Sequence, residues 1–169
     1  ALQIGHLISI DFFVFNTKGI AKNLLPKLKR VFPDRVVTSV VNNPDELTVM
    51  IAETKITFLS YPFPPRRKLT EYEGLKLLGV EEIAAAKAYT IGRRGEYKDY
   101  IDLYFILAGK YSALETIIKL ANVKYGSEFN DRLFLEQLSY DEDIIETPLQ
   151  LLKPGVTKTD ITRLFTEKI

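Results

Sequence analysis

A proline-rich, basic segment separates two parts of this chain that carry different hydrophobic patterns. Residues 62–68 (PFPPRRK) suit neither a helix nor a central strand, because proline lacks the backbone N–H that both need. Short β-branched and aromatic runs precede the segment, and apolar residues at helical spacing follow it. This order predicts an α+β protein with a sheet lobe followed by a helical lobe.

Four strands are predicted before the proline-rich segment. Residues 8–15 are rich in β-branched and aromatic side chains and partly alternate. Residues 35–42 and 46–53 flank an Asn-Pro-Asp turn signal, and 55–61 form a further run. The turn signal predicts a hairpin, so we expect the sheet to be antiparallel at least in part.

One helix is predicted inside the sheet lobe, over 18–31, with Asn16 or Thr17 as its N-cap. A short edge strand is expected at 75–79. The later helical patterns cover 81–91, 97–108, 113–125, 131–138 and 158–165. The expected caps are Ser112 and either Thr157 or Thr159, and the expected stops are Gly95, Gly109 and Gly126.

Length and composition narrow the class of protein. The 169 residues fit a single domain, with the sheet lobe over about 1–79 and the helical lobe over about 80–169. The net charge of +1 gives no general argument for a nucleic-acid or anionic-membrane partner. Cysteine is absent and His6 is the single histidine, which excludes disulfides and multi-histidine metal sites. Because no apolar run approaches the roughly 18 residues of a membrane helix, we predict a cytoplasmic protein without a membrane partner.

Ionic residues are dense between Arg93 and Asp102, directly before an apolar run. Burying so many charges without partners is costly, so they either pair on a solvated helix start or line a site. Asp99 and Asp102 are three residues apart and share a helix face. In the functional interpretation, Lys87 and Arg93 or Arg94 hold phosphates while Asp99 acts as a base or orienter.

Two polar residues near the N-terminus are less informative. Asp11 stands alone in an apolar strand pattern, so we expect it at a sheet edge, a strand end or a cleft. Phe13, on the same face of that strand, supplies no second carboxylate for a metal. His6 lacks the Ser-Asp context of a nucleophilic triad, so a capping or packing role is expected.

Three blocks of the chain, in the same order, resemble the AbiEii/AbiGii toxin family, whose members have a nucleotidyltransferase fold. The most specific block joins IAAAK (83–87) to RRGEYKDYIDL (93–103). Residues 1–15 are similar to the family's N-terminal block, and 55–62 are similar to its middle strand. The resemblance implies transfer of a nucleotidyl group from an NTP with Mg²⁺ to a protein or RNA acceptor such as tRNA. It also implies a prokaryotic toxin that a cognate antitoxin neutralises.

The resemblance also implies site residues. The catalytic residues would be Asp11, Lys87 and Asp99, and Asp11 would be a metal ligand. The nucleotide-binding residues would be Lys87, Arg93, Arg94, Lys98 and Asp102.

The chain departs from the family pattern at several positions. Leu7 stands where the family has arginine, and Phe13 and Thr57 stand where it has its second and third metal-binding carboxylates. The phosphate-cradling Gly-Gly-Ser/Thr turn of the family is not part of this sequence. If each charged contact contributes about 1.5–3 kcal/mol, metal and NTP binding are weakened by several kcal/mol. The hypotheses that stay open are an active nucleotidyltransferase, a weak or inactive one (a pseudoenzyme), a non-catalytic module that binds a nucleotide or a partner, and a truncated or frame-disrupted remnant.

Overall fold

The computed structural model describes residues 2–9, 11–140, 142, 144–153 and 155–169. The strands are Asp11–Asn16 (β1), Val37–Asn42 (β2), Glu46–Ile51 (β3), Thr54–Ser60 (β4), Thr70–Tyr72 (β5) and Leu75–Leu77 (β6). The helices are Leu24–Val31 (α1), Val80–Arg94 (α2), Tyr97–Ala108 (α3), Leu114–Tyr125 (α4), Asp131–Ser139 (α5) and Lys158–Lys168 (α6). The predicted α+β class, with strands followed by helices, is confirmed.

The chain forms two compact units. The sheet unit is Ser9–Pro64, and the helical unit combines Ala1–Ile8 with Pro65–Ile169. The helical unit includes the short hairpin of β5 and β6, and a strand at β5 was not predicted. The sheet unit is thus one continuous segment, whereas the helical unit is assembled from two.

The sheet unit contains a four-stranded sheet in the order β1-β4-β3-β2. β1 runs parallel to β4, whereas β2–β3 and β3–β4 are antiparallel, so the prediction of a partly antiparallel sheet is confirmed. The predicted β2–β3 hairpin closes through Asn43, whose side-chain oxygen accepts hydrogen bonds from the backbone of Asp45 (2.9 Å) and Glu46 (2.7 Å). Such Asx turns are a main reason why asparagine favours turns.

One face of this sheet packs against α1. The buried residues on that face are Val37, Leu47, Val49 and Ile51, and Ile56 and Phe58 of β4 pack with them. Since side chains alternate between faces along a strand, Thr48 and Thr57 lie on the other face. Phe13 is in register with Thr57, which places its side chain on that second face too. Asp11, two residues before Phe13, shares it.

Helix α1 begins later than the sequence pattern predicts, at Leu24 rather than near Lys18. The proposed Asn16 and Thr17 caps are therefore wrong, and the side chain of Asn16 instead accepts a hydrogen bond from the backbone of Lys18. The cause is Pro26, whose ring would clash with the carbonyl four residues earlier in a longer helix. Proline is tolerated within the first turn, which is where Pro26 lies.

The five helices predicted after the proline-rich segment are all present, and Gly95, Gly109 and Gly126 cap the ends of α2, α3 and α4 as predicted. Thr157 caps α6 through a hydrogen bond from the backbone of Asp160. The Ser112 prediction is wrong, because α4 takes Ala113 as its N-cap. One residue outside the cap, the Ser112 hydroxyl is buried and has no hydrogen-bond partner among the described residues.

Helix α2 lies at the centre of the helical unit and contacts α3, α4 and α5. Its alanines Ala84, Ala85 and Ala88 are fully buried, and their small side chains allow neighbouring helices to approach closely. The same helix buries Glu82, whose carboxylate meets the ammonium group of Lys124 from α4. Packing around α2 therefore holds the Glu82 carboxylate inside the helical unit.

Candidate functional site

The clearest polar cluster of the helical unit gathers around Lys87 on α2. Lys87 Nζ lies 2.8 Å from Asp99 Oδ1 and 2.5 Å from Asp102 Oδ2, both on α3. His6 Nε2 lies 2.6 Å from the other oxygen of Asp102. We call these four residues the Lys87 centre. The i and i+3 spacing of the two aspartates puts both on one face of α3, as predicted.

The start of α3 fixes the first of the two aspartates. Glu96 is the N-cap, and its side chain and that of Asp99 form a capping box. Asp99 Oδ2 accepts a hydrogen bond from the backbone N–H of Glu96 at 3.2 Å, while Oδ1 faces Lys87. The sequence Glu-x-x-Asp thus builds the helix start and aims a carboxylate at Lys87.

His6 is held by backbone contacts far along the chain. Leu152 donates a backbone hydrogen bond to the His6 carbonyl (2.8 Å), and Ile8 donates one to Gln150 (2.9 Å). The ring is 1% exposed and lies 5.0 Å, between centroids, from the ring of Phe105. The sequence pattern indicated capping or packing for His6, and its pairing with Asp102 was missed. Nothing in the local sequence signals it, beyond His6 being the single histidine.

The Lys87 centre shifts the titration of two of its members. Burial raises the pKa of Asp102, but the His6 hydrogen bond and the Lys87 ammonium outweigh burial and lower that pKa to about 2. Burial lowers the pKa of Lys87, but Asp102 and Asp99 outweigh it and raise that pKa above its ordinary value. Lys87 and Asp102 are therefore both ionised at neutral pH.

The charges and hydrogen-bond donors of the Lys87 centre determine which ligands it can bind. One ammonium group faces two aspartates, so its charge is already matched before any anionic ligand arrives. Lys87 has three N–H donors, of which two reach the aspartates, and the described residues supply no partner for the third. With the Lys87 side chain 21% exposed, this third donor can meet a ligand oxygen.

Of the other basic residues predicted to bind a nucleotide, Arg93 and Arg94 pair with residues outside the Lys87 centre. The Arg93 guanidinium lies 4.3 Å above the Tyr89 ring and donates hydrogen bonds to Glu128. Arg94 pairs with Glu96 at 2.7 Å, with both side chains about 70% exposed. Lys98 is half-buried in the first turn of α3. The structure thus brings together Lys87, Asp99 and Asp102, and it gives Arg93 and Arg94 other partners.

Within the sheet unit, the predicted metal ligand Asp11 is the first residue of the edge strand β1. Phe13 follows on the same face and is 53% exposed. Thr57, in register with Phe13, is buried, and its hydroxyl oxygen lies 3.1 Å from that of Thr48. The Thr48 hydroxyl in turn donates to Glu46 at 2.6 Å. The three positions at which the resembling family has carboxylates thus offer one carboxylate, one aromatic ring and one engaged hydroxyl.

These residues do not fit a two-metal centre. Mg²⁺ requires hard oxygen ligands, usually carboxylates, and an aromatic ring cannot supply one. Across the described part of the chain, no group of three or more His, Asp or Glu side chains could hold a metal ion. Leu7, which stands where the resembling family has arginine, is buried and forms a bridge with Leu151 within the helical unit.

Comparisons with known proteins bear mainly on the fold. No protein-family model matches the chain. An uncharacterized protein of Aquifex aeolicus (strain VF5) is 27% identical over 161 residues, covering 90% of this chain and 75% of that protein. The crystal structure of a "putative nucleotidyltransferase" from H. pylori matches with a TM-score of 0.52 at 14% identity, covering 95% of this chain and 78% of that one. None of the helices in the described ranges is long and apolar enough to span a bilayer. The likeness to the solved structure shows that the chain has a nucleotidyltransferase-like α+β fold.

Proposed function

We propose that this chain is a nucleotidyltransferase-fold protein of the AbiEii/AbiGii type that transfers nucleotidyl groups weakly or not at all. The fold likeness and the three resembling sequence blocks support the superfamily. The Lys87 centre supports a retained ligand site, since Lys87 has one N–H donor for which the described residues supply no partner, beside two carboxylates. Mg²⁺-NTP is the ligand that the resemblance implies for it.

The observation that carries this proposal is the pairing of Phe13 with Thr57. They occupy two of the three metal-ligand positions, they are in register, and neither is a carboxylate. The Thr57 hydroxyl is already bonded to Thr48. A two-metal clamp on the attacking and leaving oxygens requires several carboxylates, and Asp11 alone would hold a divalent ion weakly.

A transfer assay tests the catalytic half of the proposal. The purified protein is incubated with Mg²⁺, each of the four labelled NTPs, and tRNA or total RNA, and label is followed on RNA and on the protein itself. We expect little or no transfer. Phe13→Asp with Thr57→Asp, checked for folding by thermal denaturation, should raise any basal transfer. Clear transfer by the unmodified chain that Asp11→Ala abolishes would refute the inactive reading.

A binding assay tests the ligand half separately. A ligand at 100 times its Kd stabilises the folded state by about 2.7 kcal/mol, so a nucleotide that binds should raise the melting temperature. Lys87→Gln should remove the shift, whereas Lys119→Gln, at an exposed position on α4, serves as a matched control for loss of charge. No shift with any NTP in the unmodified protein would count against a nucleotide site.

A second candidate is a non-catalytic module that binds a protein partner such as a cognate antitoxin. The edge strand β1 favours it, because four consecutive apolar side chains there are 40–53% exposed: Phe12, Phe13, Val14 and Phe15. Exposed apolar edge strands pair readily with other chains. Co-expression with the product of the adjacent gene tests this candidate, because Phe12→Lys with Val14→Lys should then abolish co-purification. Retention of the partner by this variant would contradict it.

A further inference from the structure

We propose that His6 is a positioning residue of the Lys87 centre, holding Asp102 through its Nε2–H in a single tautomer. The proposal deepens the proposed function, because it concerns the same site. Its structural part stands without any nucleotide, since it rests on contacts within the helical unit.

Both oxygens of Asp102 are engaged, each by a different residue. Oδ1 lies 2.6 Å from His6 Nε2, and Oδ2 lies 2.5 Å from Lys87 Nζ. A carboxylate that is bonded through both oxygens cannot rotate without losing one contact. His6 therefore sets the direction in which Asp102 presents its second oxygen, and through it the place of the Lys87 ammonium group.

The tautomer follows from the partner on each ring nitrogen. An ionised carboxylate only accepts hydrogen bonds, so the ring proton is on Nε2. His6 Nδ1 is buried and has no hydrogen-bond partner among the described residues. A proton on Nδ1 would leave a buried donor unsatisfied, which is costly. The arrangement thus favours a ring that carries one proton, on Nε2.

His6 and Lys87 differ in solvent exposure, and this difference gives the two residues different roles. The His6 ring is 1% exposed, between Phe105 and Asp102, whereas the Lys87 side chain is 21% exposed. Because the imidazole ring is buried, we do not expect a ligand that contacts Lys87 to contact the ring. His6 consequently acts through Asp102, as the outer partners of ligating groups commonly do.

Nitrogen-15 NMR of the whole chain tests the tautomer, because the single histidine gives the only ring signals. At about pH 7.5, a pH at which ordinary histidine is neutral, we expect Nε2 to carry the proton and Nδ1 to carry none. Asp102→Asn should give a mixture of tautomers. Asp99→Asn is the matched control, because Asp99 contacts Lys87 but not His6, and it should leave the ring signals unchanged. A protonated Nδ1 in the unmodified protein would overturn the proposal, even if Asp102→Asn fails to fold.

Two substitutions of His6 test positioning. Gln can offer an N–H near the place of Nε2, whereas Leu of similar size cannot. The Lys87 Nζ NMR signal should therefore move in His6→Leu and stay close to its original position in His6→Gln. Where Mg²⁺-NTP binds, His6→Leu should weaken it by about tenfold, the loss expected for one hydrogen bond to a charged group. Equal effects of the two variants would contradict positioning. If no NTP binds, the nucleotide proposal fails, while the NMR signals still decide the role of His6.

Discussion

Lys124 Nζ lies 2.5 Å from Glu82 Oε2, and neither side chain is more than 1% exposed. The other Glu82 oxygen accepts hydrogen bonds from the backbone N–H groups of Arg66 (2.5 Å) and Arg67 (2.7 Å). One buried carboxylate thus ties α2 to α4 and to the basic end of the proline-rich segment. Breaking such a pair is expensive, because the remaining charge stays buried.

Glu82→Gln should destabilise the protein by about 3–5 kcal/mol, because it leaves the Lys124 ammonium uncompensated. The double variant with Lys124→Met should regain much of this loss, since Gln can still accept the backbone hydrogen bonds. Urea unfolding measures both. Glu81→Gln, which breaks the exposed pair with Arg67, should cost no more than about 1 kcal/mol. A double variant as unstable as the single one would contradict this account.

Asp102 should make the free energy of unfolding depend on pH in the acidic range. Its pKa is about 2 in the folded protein against 3.8 ordinarily, and this difference corresponds to about 2 kcal/mol. Because the folded pKa is the lower one, this stability is fully present above about pH 4 and is lost as the pH falls through about 2. Urea unfolding between pH 5 and pH 2 should therefore show a shallower decline for Asp102→Asn than for the unmodified chain. Parallel declines would argue against the ion-pair assignment.

Gly95→Ala, at the junction of α2 and α3, should destabilise the folded protein by about 1–3 kcal/mol, as overpacking commonly does. A Cβ at this position would lie 2.6 Å from Cε2 of Tyr100, whose ring is buried and cannot move aside freely. Gly92→Ala is the matched control, because its Cβ would meet Phe134 at an ordinary 3.9 Å. Inside a helix that change should stabilise by up to about 1 kcal/mol. Thermal denaturation of both variants checks the contrast, which a stabilised Gly95→Ala would contradict.

Asn130→Ala should cost about 1 kcal/mol, the usual value of an N-cap. The Asn130 side chain accepts a hydrogen bond from the backbone of Leu133 at 3.0 Å at the start of α5. Asn122→Ala makes the same change at an exposed position within α4, where alanine is the better helix former. Opposite shifts in urea midpoint are expected for the two variants. A loss of stability in Asn122→Ala equal to that in Asn130→Ala would contradict the capping role.

The helices could be predicted from sequence where the apolar periodicity and the stop signals agree. α3 combines a first-turn carboxylate, an apolar run and a final glycine, and its predicted range is the observed one. For α1, the apolar spacing predicts a helix that is too long, because Pro26 prevents the earlier turns from being helical. Backbone sterics overrode side-chain pattern there.

The candidate site could be predicted only in part. Lys87, Asp99 and Asp102 lie on two consecutive helices, so local spacing and the resembling motif together indicate them. His6 lies 96 positions before Asp102, and their contact depends on a backbone bridge near Leu151. No local pattern encodes such a meeting.

The division of the helical unit into two segments has a consequence for the order of assembly. The sheet unit is complete once residue 64 has been synthesised, and it can begin to fold while the helices are still being made. His6 is made almost first, but the backbone that holds it, at Gln150 and Leu152, is made near the end. The Lys87 centre is therefore expected to form late, and a chain that stops short of residue 150 would carry every member of the centre without holding His6 in place.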